Sequence, residues 1–169
     1  GGGGARGGCA AGRRRTGGQV VGLGGSLGGP EVMGRHAWLE GMAAVVAEQV
    51  AGGGRLGLVL GGGQPAREAI SLAQPLLDDV ARLDELGIAA TRLNATVVQQ
   101  ILAGAGIDVA AAIPIDVEHA AGFLEQHAVV VMGGTVPGHT TDAVAIRLAV
   151  AEVGRAHVWT PVTRLSRMP

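Results

Sequence analysis

An α/β fold is what this sequence of 169 residues predicts: a three-layer αβα sandwich around a mostly parallel sheet. Three observations carry the prediction. Short apolar runs alternate with longer stretches of helical spacing, the pattern of repeated βα units. The runs at 19–23, 55–60 and 128–132 each pass directly into glycine and then into a helix-like stretch. The last run is free of polar residues, as a strand buried on both faces requires. Ligands of such sheets bind beyond the carboxyl ends of the strands, where the glycine loops would meet.

Composition narrows the classes. One domain of this length can bury a core. Mean hydropathy is positive, yet no apolar run reaches the roughly 18 residues of a membrane span. All 13 basic residues are Arg, and Arg6, Arg13, Arg14 and Arg15 fall at the start, so the remainder is acidic and no general nucleic-acid binder. Cys9 stands alone, which excludes a disulfide framework and a CxxC metal site and fits a reducing cytoplasm. No secretory signal is visible, because Thr16, Gly17, Gly18 and Gln19 stand where its apolar segment would lie.

Taken in order, 1–18 is glycine with scattered arginine, too poor in apolar residues to pack, and is expected to be a disordered arm. An RGG-like hold on RNA phosphates is the functional reading of it; an unstructured or misassigned start is the plainer one. The absence of an initiating Met points to a start inside a longer reading frame. Residues 19–160 are expected to form the α/β domain and 161–169 a divergent tail.

The first strand, 19–23, is followed by Gly24, Gly25, Ser26, Leu27, Gly28 and Gly29, a turn suited to phosphate. A Walker A loop needs a Lys, and the chain has none. A dinucleotide fingerprint beginning at Gly22 and Gly24 meets Leu27 where its last glycine belongs. Residues 36–50 predict a helix that packs Leu39, Met42, Ala43, Val46 and Val50, with His36 near its cap and Trp38 at a core edge.

The second strand, 55–60, runs into Gly61, Gly62, Gly63, Gln64, Pro65, Ala66 and Arg67. Pro65 suits a first helical turn. Arg67, about one turn in, can fold back to grip a phosphate bidentately, or it can pair Glu68 or Asp84 on the surface. Residues 84–103 place Leu86, Ala90, Leu93, Val97 and Ile101 on one helical stripe, which is core or subunit interface. Asp84 is a candidate N-cap or ligand acceptor, and periodicity gives no reason for Thr91, Arg92 and Asn94 among apolar neighbours. Residues 107–113 predict a strand and 117–126 a helix.

The third junction carries the most chemistry. After the strand, Gly133, Gly134, Pro137 and Gly138 break regular structure, while Thr135, His139, Thr140 and Thr141 supply side-chain donors. Thr141 or Asp142 can cap the next helix, and Ala143, Ala145, Ile146, Ala149 and Val150 give it an apolar face. Loop and helix N-terminus make an anion site. The alternative is a tight βα turn, though such a turn needs only one or two glycines.

Four strings, in order, resemble the archaeal-type UMP kinases of the amino acid kinase superfamily: LGGSL from Leu23, GGGxxAR from Gly61, DxxGIxxTRxNA from Asp84, and GGTxPGHTTDAVA from Gly133. The resemblance implies transfer of a phosphoryl group from ATP to UMP with Mg²⁺, in a cytoplasmic homo-oligomer, a hexamer, of pyrimidine biosynthesis. It implies that Gly62, Asp84, Thr135, Val136, Pro137, Gly138, His139, Thr140 and Thr141 hold UMP, with Asp84 accepting from the nucleoside. Gly25, Ser26, Gly63 and Arg67 would surround the ATP phosphates, Ser26 and Arg67 acting in catalysis. The helix from Asp84 would pack between subunits. Bacterial relatives carry a Lys near the position of Gly22, and its absence leaves Arg67, backbone donors and the metal to offset the charge. Past Glu152 the resemblance ends: the NxxDGVY-like segment and the ATP lobe are absent, Thr163 has only a loose counterpart, and the chain reads as C-terminally truncated. A catalytically silent module that binds UMP or another phosphate compound is therefore the alternative, and another amino acid kinase relative with a different acceptor is a third.

Overall fold

A computed structural model describes residues 18–24, 32–151 and 157–159. The arm at 1–18 lies outside them but for its last residue, as do Gly25, Ser26 and the 160/161 boundary. The order of elements is β1 (Gln19–Leu23), α1 (Val32–Ala51), β2 (Leu56–Leu60), α2 (Gly63–Ala73), a 3-10 turn (Gln74–Leu76), α3 (Val80–Gly104), α4 (Val117–Gln126), β3 (Val129–Met132), α5 (Thr141–Ala151) and β4 (His157–Trp159).

The strands pair in the order β3-β2-β1-β4, all parallel. Gln19 lies beside Leu56 and Leu56 beside Val129, so the three strands start in step. Every residue of β2 and β3 is buried, as their unbroken apolar runs require. Alternation along the strands sends side chains to two cores. Val59, Val130 and Met132 pack with Leu124 of α4 and Val144 and Leu148 of α5. Leu56, Leu58, Leu60 and Val131 pack with Val46 of α1 and Ala95, Val98 and Leu102 of α3. This is the predicted three-layer sandwich. Among the described residues no helix is long and apolar enough to cross a membrane.

Several local expectations change. Residues 107–113 are not a strand: Val109 makes a single parallel bridge to Val129. Ala110, Ala111 and Ala112 are poor strand formers, and Pro114 has no N–H for a ladder. Helix α3 begins earlier than expected, capped by Asp79, which accepts from Ala81 N at 2.9 Å. Asp84 is thus inside the helix and is not its N-cap. The predicted stripe meets the core only in part: Ala90 is buried, but Leu93 is 58% and Val97 39% exposed, and the buried face runs on through Asn94, Val98 and Leu102. In α5 the cap is Thr140 rather than Thr141 or Asp142, its Oγ1 accepting from Ala143 N at 3.2 Å. Val144 and Leu148 replace Ile146 and Val150 on the buried face.

The bridge at Val109 is fastened by Asp108, whose carboxylate accepts from Ala128 N and lies 2.9 Å from His127 Nδ1. The His127 ring first, and the Ala128 N–H second, hold this carboxyl below the ordinary aspartate range. A carboxylate lowered in the folded state stabilises above its unfolded pKa and loses that contribution as pH falls through the lowered value. Asp108→Asn should therefore lower the melting temperature at neutral pH, with the gap from wild type closing below about pH 4. A gap that does not vary with pH would remove the pairing as its cause.

Candidate functional site

The chain turns sharply at the carboxyl ends of β2 and β3, and a cleft of about 350 Å³ opens there. Its first wall is the β2–α2 junction. Gly63 has φ +56°, a left-handed conformation that glycine accepts without strain, and it opens α2. Gly62 stands at the N-cap with no side-chain cap, so the first N–H groups of α2 lack intrahelical acceptors. Arg67, one turn on, is exposed and donates to Gln64 Oε1 at 3.1 Å. Among the described residues it makes no ion pair with Glu68 or Asp84. An anion at this end would therefore meet a helix terminus and a guanidinium not committed to a carboxylate.

The second wall is the loop after β3. Val136–His139 forms a turn closed by His139 N donating to Val136 O at 3.3 Å, with Gly138 at φ +81°. Pro137 and Gly138 occupy the positions that a type II turn prefers for them. Val136, Pro137, Gly138, His139 and Thr141 line the cleft beside Gly62, Gly63, Arg67 and Asp84, the last from the first turns of α3. Thr135 and Thr140 do not line it, and the Thr140 hydroxyl is committed to the cap of α5.

Helix α3 supplies the floor and the fastening, which the sequence did not disclose. Ile88, with Ile70 of α2, gives the cleft an apolar base. Asn94, 3% exposed, donates Nδ2 to Gly61 O at 2.7 Å and to Gly62 O at 3.0 Å. Thr91 Oγ1 donates to Ile88 O and accepts from Gly134 N, both at 2.6 Å. One helix thus ties down both glycine loops. The signal was present as polar residues in an apolar stretch, but their partners were not visible. Asp142, expected only as a possible helix cap, instead reaches toward β1: its Oδ1 would lie 3.5 Å from a Cβ at Gly22. Gly25 and Ser26 lie outside the described residues, and among those described no cluster of three or more His, Cys, Asp or Glu could hold a metal ion.

Parallel strands, two glycine loops at their carboxyl ends, an α2 terminus without a side-chain cap, Arg67 and the Asp84 carboxylate meet at one cleft of an α/β domain, the place where domains of this class bind their ligands. Comparison with known proteins gives the family. Residues 18–154 match the sequence profile of the amino acid kinase family, and the chain belongs to it. It is 48% identical over 94 residues to the uridylate kinase of Thermoplasma volcanium, covering 56% of this chain and 40% of that protein. It is 41% identical over 130 residues to the uridylate kinase of Halorubrum lacusprofundi, covering 77% and 52%. The crystal structure of uridylate kinase from Archaeoglobus fulgidus superposes with a TM-score of 0.67 at 39% identity, over 78% of this chain and 57% of that one. The UMP kinase of Bacillus anthracis, at 22% identity and a TM-score of 0.65, shares the fold. The chain spans about half the length of the relatives it matches.

Proposed function

We propose that this chain carries the acceptor half of a UMP kinase. The observation that carries the reading is the cleft itself, which gathers Gly62, Gly63, Arg67, Asp84 and the Val136–His139 turn onto facing walls although they are scattered through the sequence. In the proposed reaction an oxygen of the UMP 5′-phosphate attacks the γ-phosphorus of MgATP, the bond to the β-phosphate oxygen breaks, and UDP and ADP leave. Such a transfer needs positioning and charge neutralisation more than covalent help. The α2 terminus at Gly63 and Arg67 stand where the acceptor phosphate meets the ATP phosphates, surround the transferring group and lower the repulsion between the two. Asp84 accepts from the ribose hydroxyls, leaving neither donor unpaired. The 135–141 loop takes the base. Gly25 and Ser26 are proposed to face the ATP phosphates, and Mg²⁺ to arrive with ATP as substrate. The exposed Leu93 and Val97 of α3 belong to the same reading, as part of a contact between subunits of a homo-oligomer in the cytoplasm.

Calorimetric titration with UMP, with CMP and AMP as controls, tests the acceptor half, and a coupled assay with MgATP tests turnover. UMP binding without turnover would identify the silent module. No UMP binding by a chain that melts cooperatively would overturn the reading. Arg67→Ala should weaken UMP by roughly 1.5 to 3 kcal/mol through lost charge-assisted bonds; unchanged affinity would return Arg67 to the surface. Asp84→Asn should weaken UMP and spare inorganic phosphate, and equal losses would dismiss the sugar contact.

A further inference from the structure

Arg147 lies on α5 outside the residues that line the cleft, and its side chain leans toward the helix N-terminus, as helical side chains do. There its Nη1 is 3.2 Å from Nδ1 of His139. A guanidinium has five donors and no acceptor, so Nδ1 must present its lone pair and the ring proton sits on Nε2. His139 is at the same time the last residue of the Val136–His139 turn and part of the cleft wall.

We infer that Arg147 is a positioning residue that fixes His139 as a hydrogen-bond donor to the base of the bound nucleotide. The inference rests on the acceptor reading above. With the phosphate at Arg67 and the sugar at Asp84, the base falls against the turn that carries His139. A pyrimidine offers two kinds of edge: uracil has a carbonyl oxygen at position 4, whereas cytosine has an amino donor there. A ring held with Nε2–H outward pairs with the first and opposes the second. Arg147 thereby contributes to the choice of uracil without touching it.

The test measures dissociation constants for UMP, CMP and ribose 5-phosphate in wild type, Arg147→Ala, His139→Ala and the double variant, with Arg147→Lys as the conservative replacement that keeps a donor. Arg147→Ala is expected to weaken UMP by about five- to tenfold, the worth of one neutral hydrogen bond, and to narrow the UMP over CMP preference. Ribose 5-phosphate should change by less than about twofold, because no base is present to lose a partner. The double variant should be no worse than His139→Ala, since Arg147 acts through that ring, and Arg147→Lys should recover part of the loss. In the ligand-free protein the ¹⁵N resonance of His139 Nδ1 should move when Arg147 is replaced, a change that general destabilisation would not produce. Equal weakening of UMP and ribose 5-phosphate, or additive losses in the double variant, would overturn the inference. UMP affinity unchanged by Arg147→Ala would overturn it while leaving the acceptor reading intact. No UMP binding by wild type would overturn both.

Discussion

Replacing Gly133 by Ala is expected to destabilise the fold by about 3 to 5 kcal/mol, more than most surface or loop substitutions. The reason is the closeness of α3. A Cβ at Gly133 would lie 2.6 Å from Thr91 Oγ1 and 2.8 Å from both Arg92 N and the Thr91 carbonyl carbon. Two of those atoms are helix backbone, which cannot step aside as a side-chain tip can. Relief must come from moving α3 away from the loop, and that movement also stretches the bond from Gly134 N to Thr91 Oγ1. Overpacking against rigid atoms costs about 1 to 3 kcal/mol, and a buried donor left unpaired costs a similar amount again. Urea denaturation with the slope unchanged is the measurement. Gly122→Ala in α4 is the control, because a Cβ there meets nothing within 4 Å and Ala is the better helix former. If Gly133→Ala were as mild as the control, the loop would be free of the helix.

These contacts also mark where the sequence could be read and where it could not. Strand β3 and helix α4 were legible from local pattern alone, one as an unbroken apolar run and the other with its bounds unchanged from 117–126. That Gly62, Gly63, Arg67, Asp84 and the PGH turn share one cleft was legible only through the resemblance of their strings, since Arg67 and Asp84 taken singly have ordinary structural uses as a surface pair and a helix cap. The buried face of α5 was not: in a helix of Ala, Val, Ile and Leu, several stripes are equally apolar, and only docking against β1 and β2 selects Val144 and Leu148. The start of α3 was hidden for a similar reason, since Asp78, Asp79 and Asp84 can all cap a helix and the backbone chose Asp79. Thr91 and Asn94 were hidden by distance along the chain. Their partners are 43 residues away at Gly134 and 32 and 33 away at Gly62 and Gly61. Periodicity sees at most the next few turns of its own helix.

The second large effect belongs to Asn94. Asn94→Asp changes almost no volume but exchanges the donating amide nitrogen for an oxygen. That oxygen would face Gly61 O and Gly62 O, at the 2.7 and 3.0 Å now spanned by hydrogen bonds. Gly61 O loses this donor, Gly62 O keeps only the longer bond from Ala66 N at 3.3 Å, and an ionised carboxylate in a site only 3% exposed loses hydration. The expected loss at neutral pH is about 3 to 5 kcal/mol, which for a domain of this size lowers the melting temperature by roughly 6 to 20 °C. The pH dependence fixes the cause. Burial and two facing carbonyls both disfavour the charged form, so the introduced carboxyl has a folded-state pKa above its unfolded value near 4. The folded protein then binds the extra proton, and the deficit shrinks as pH falls toward and below that raised pKa. The protonated carboxyl can even donate to one of the two carbonyls. Asn94→Leu, which also removes the donor but cannot ionise, should show a deficit that does not recover in acid. If the two variants followed the same pH curve, charge burial would be dismissed and lost packing would remain. If both also bound UMP with unchanged affinity while folded, α3 would support the β2–α2 loop without shaping the site.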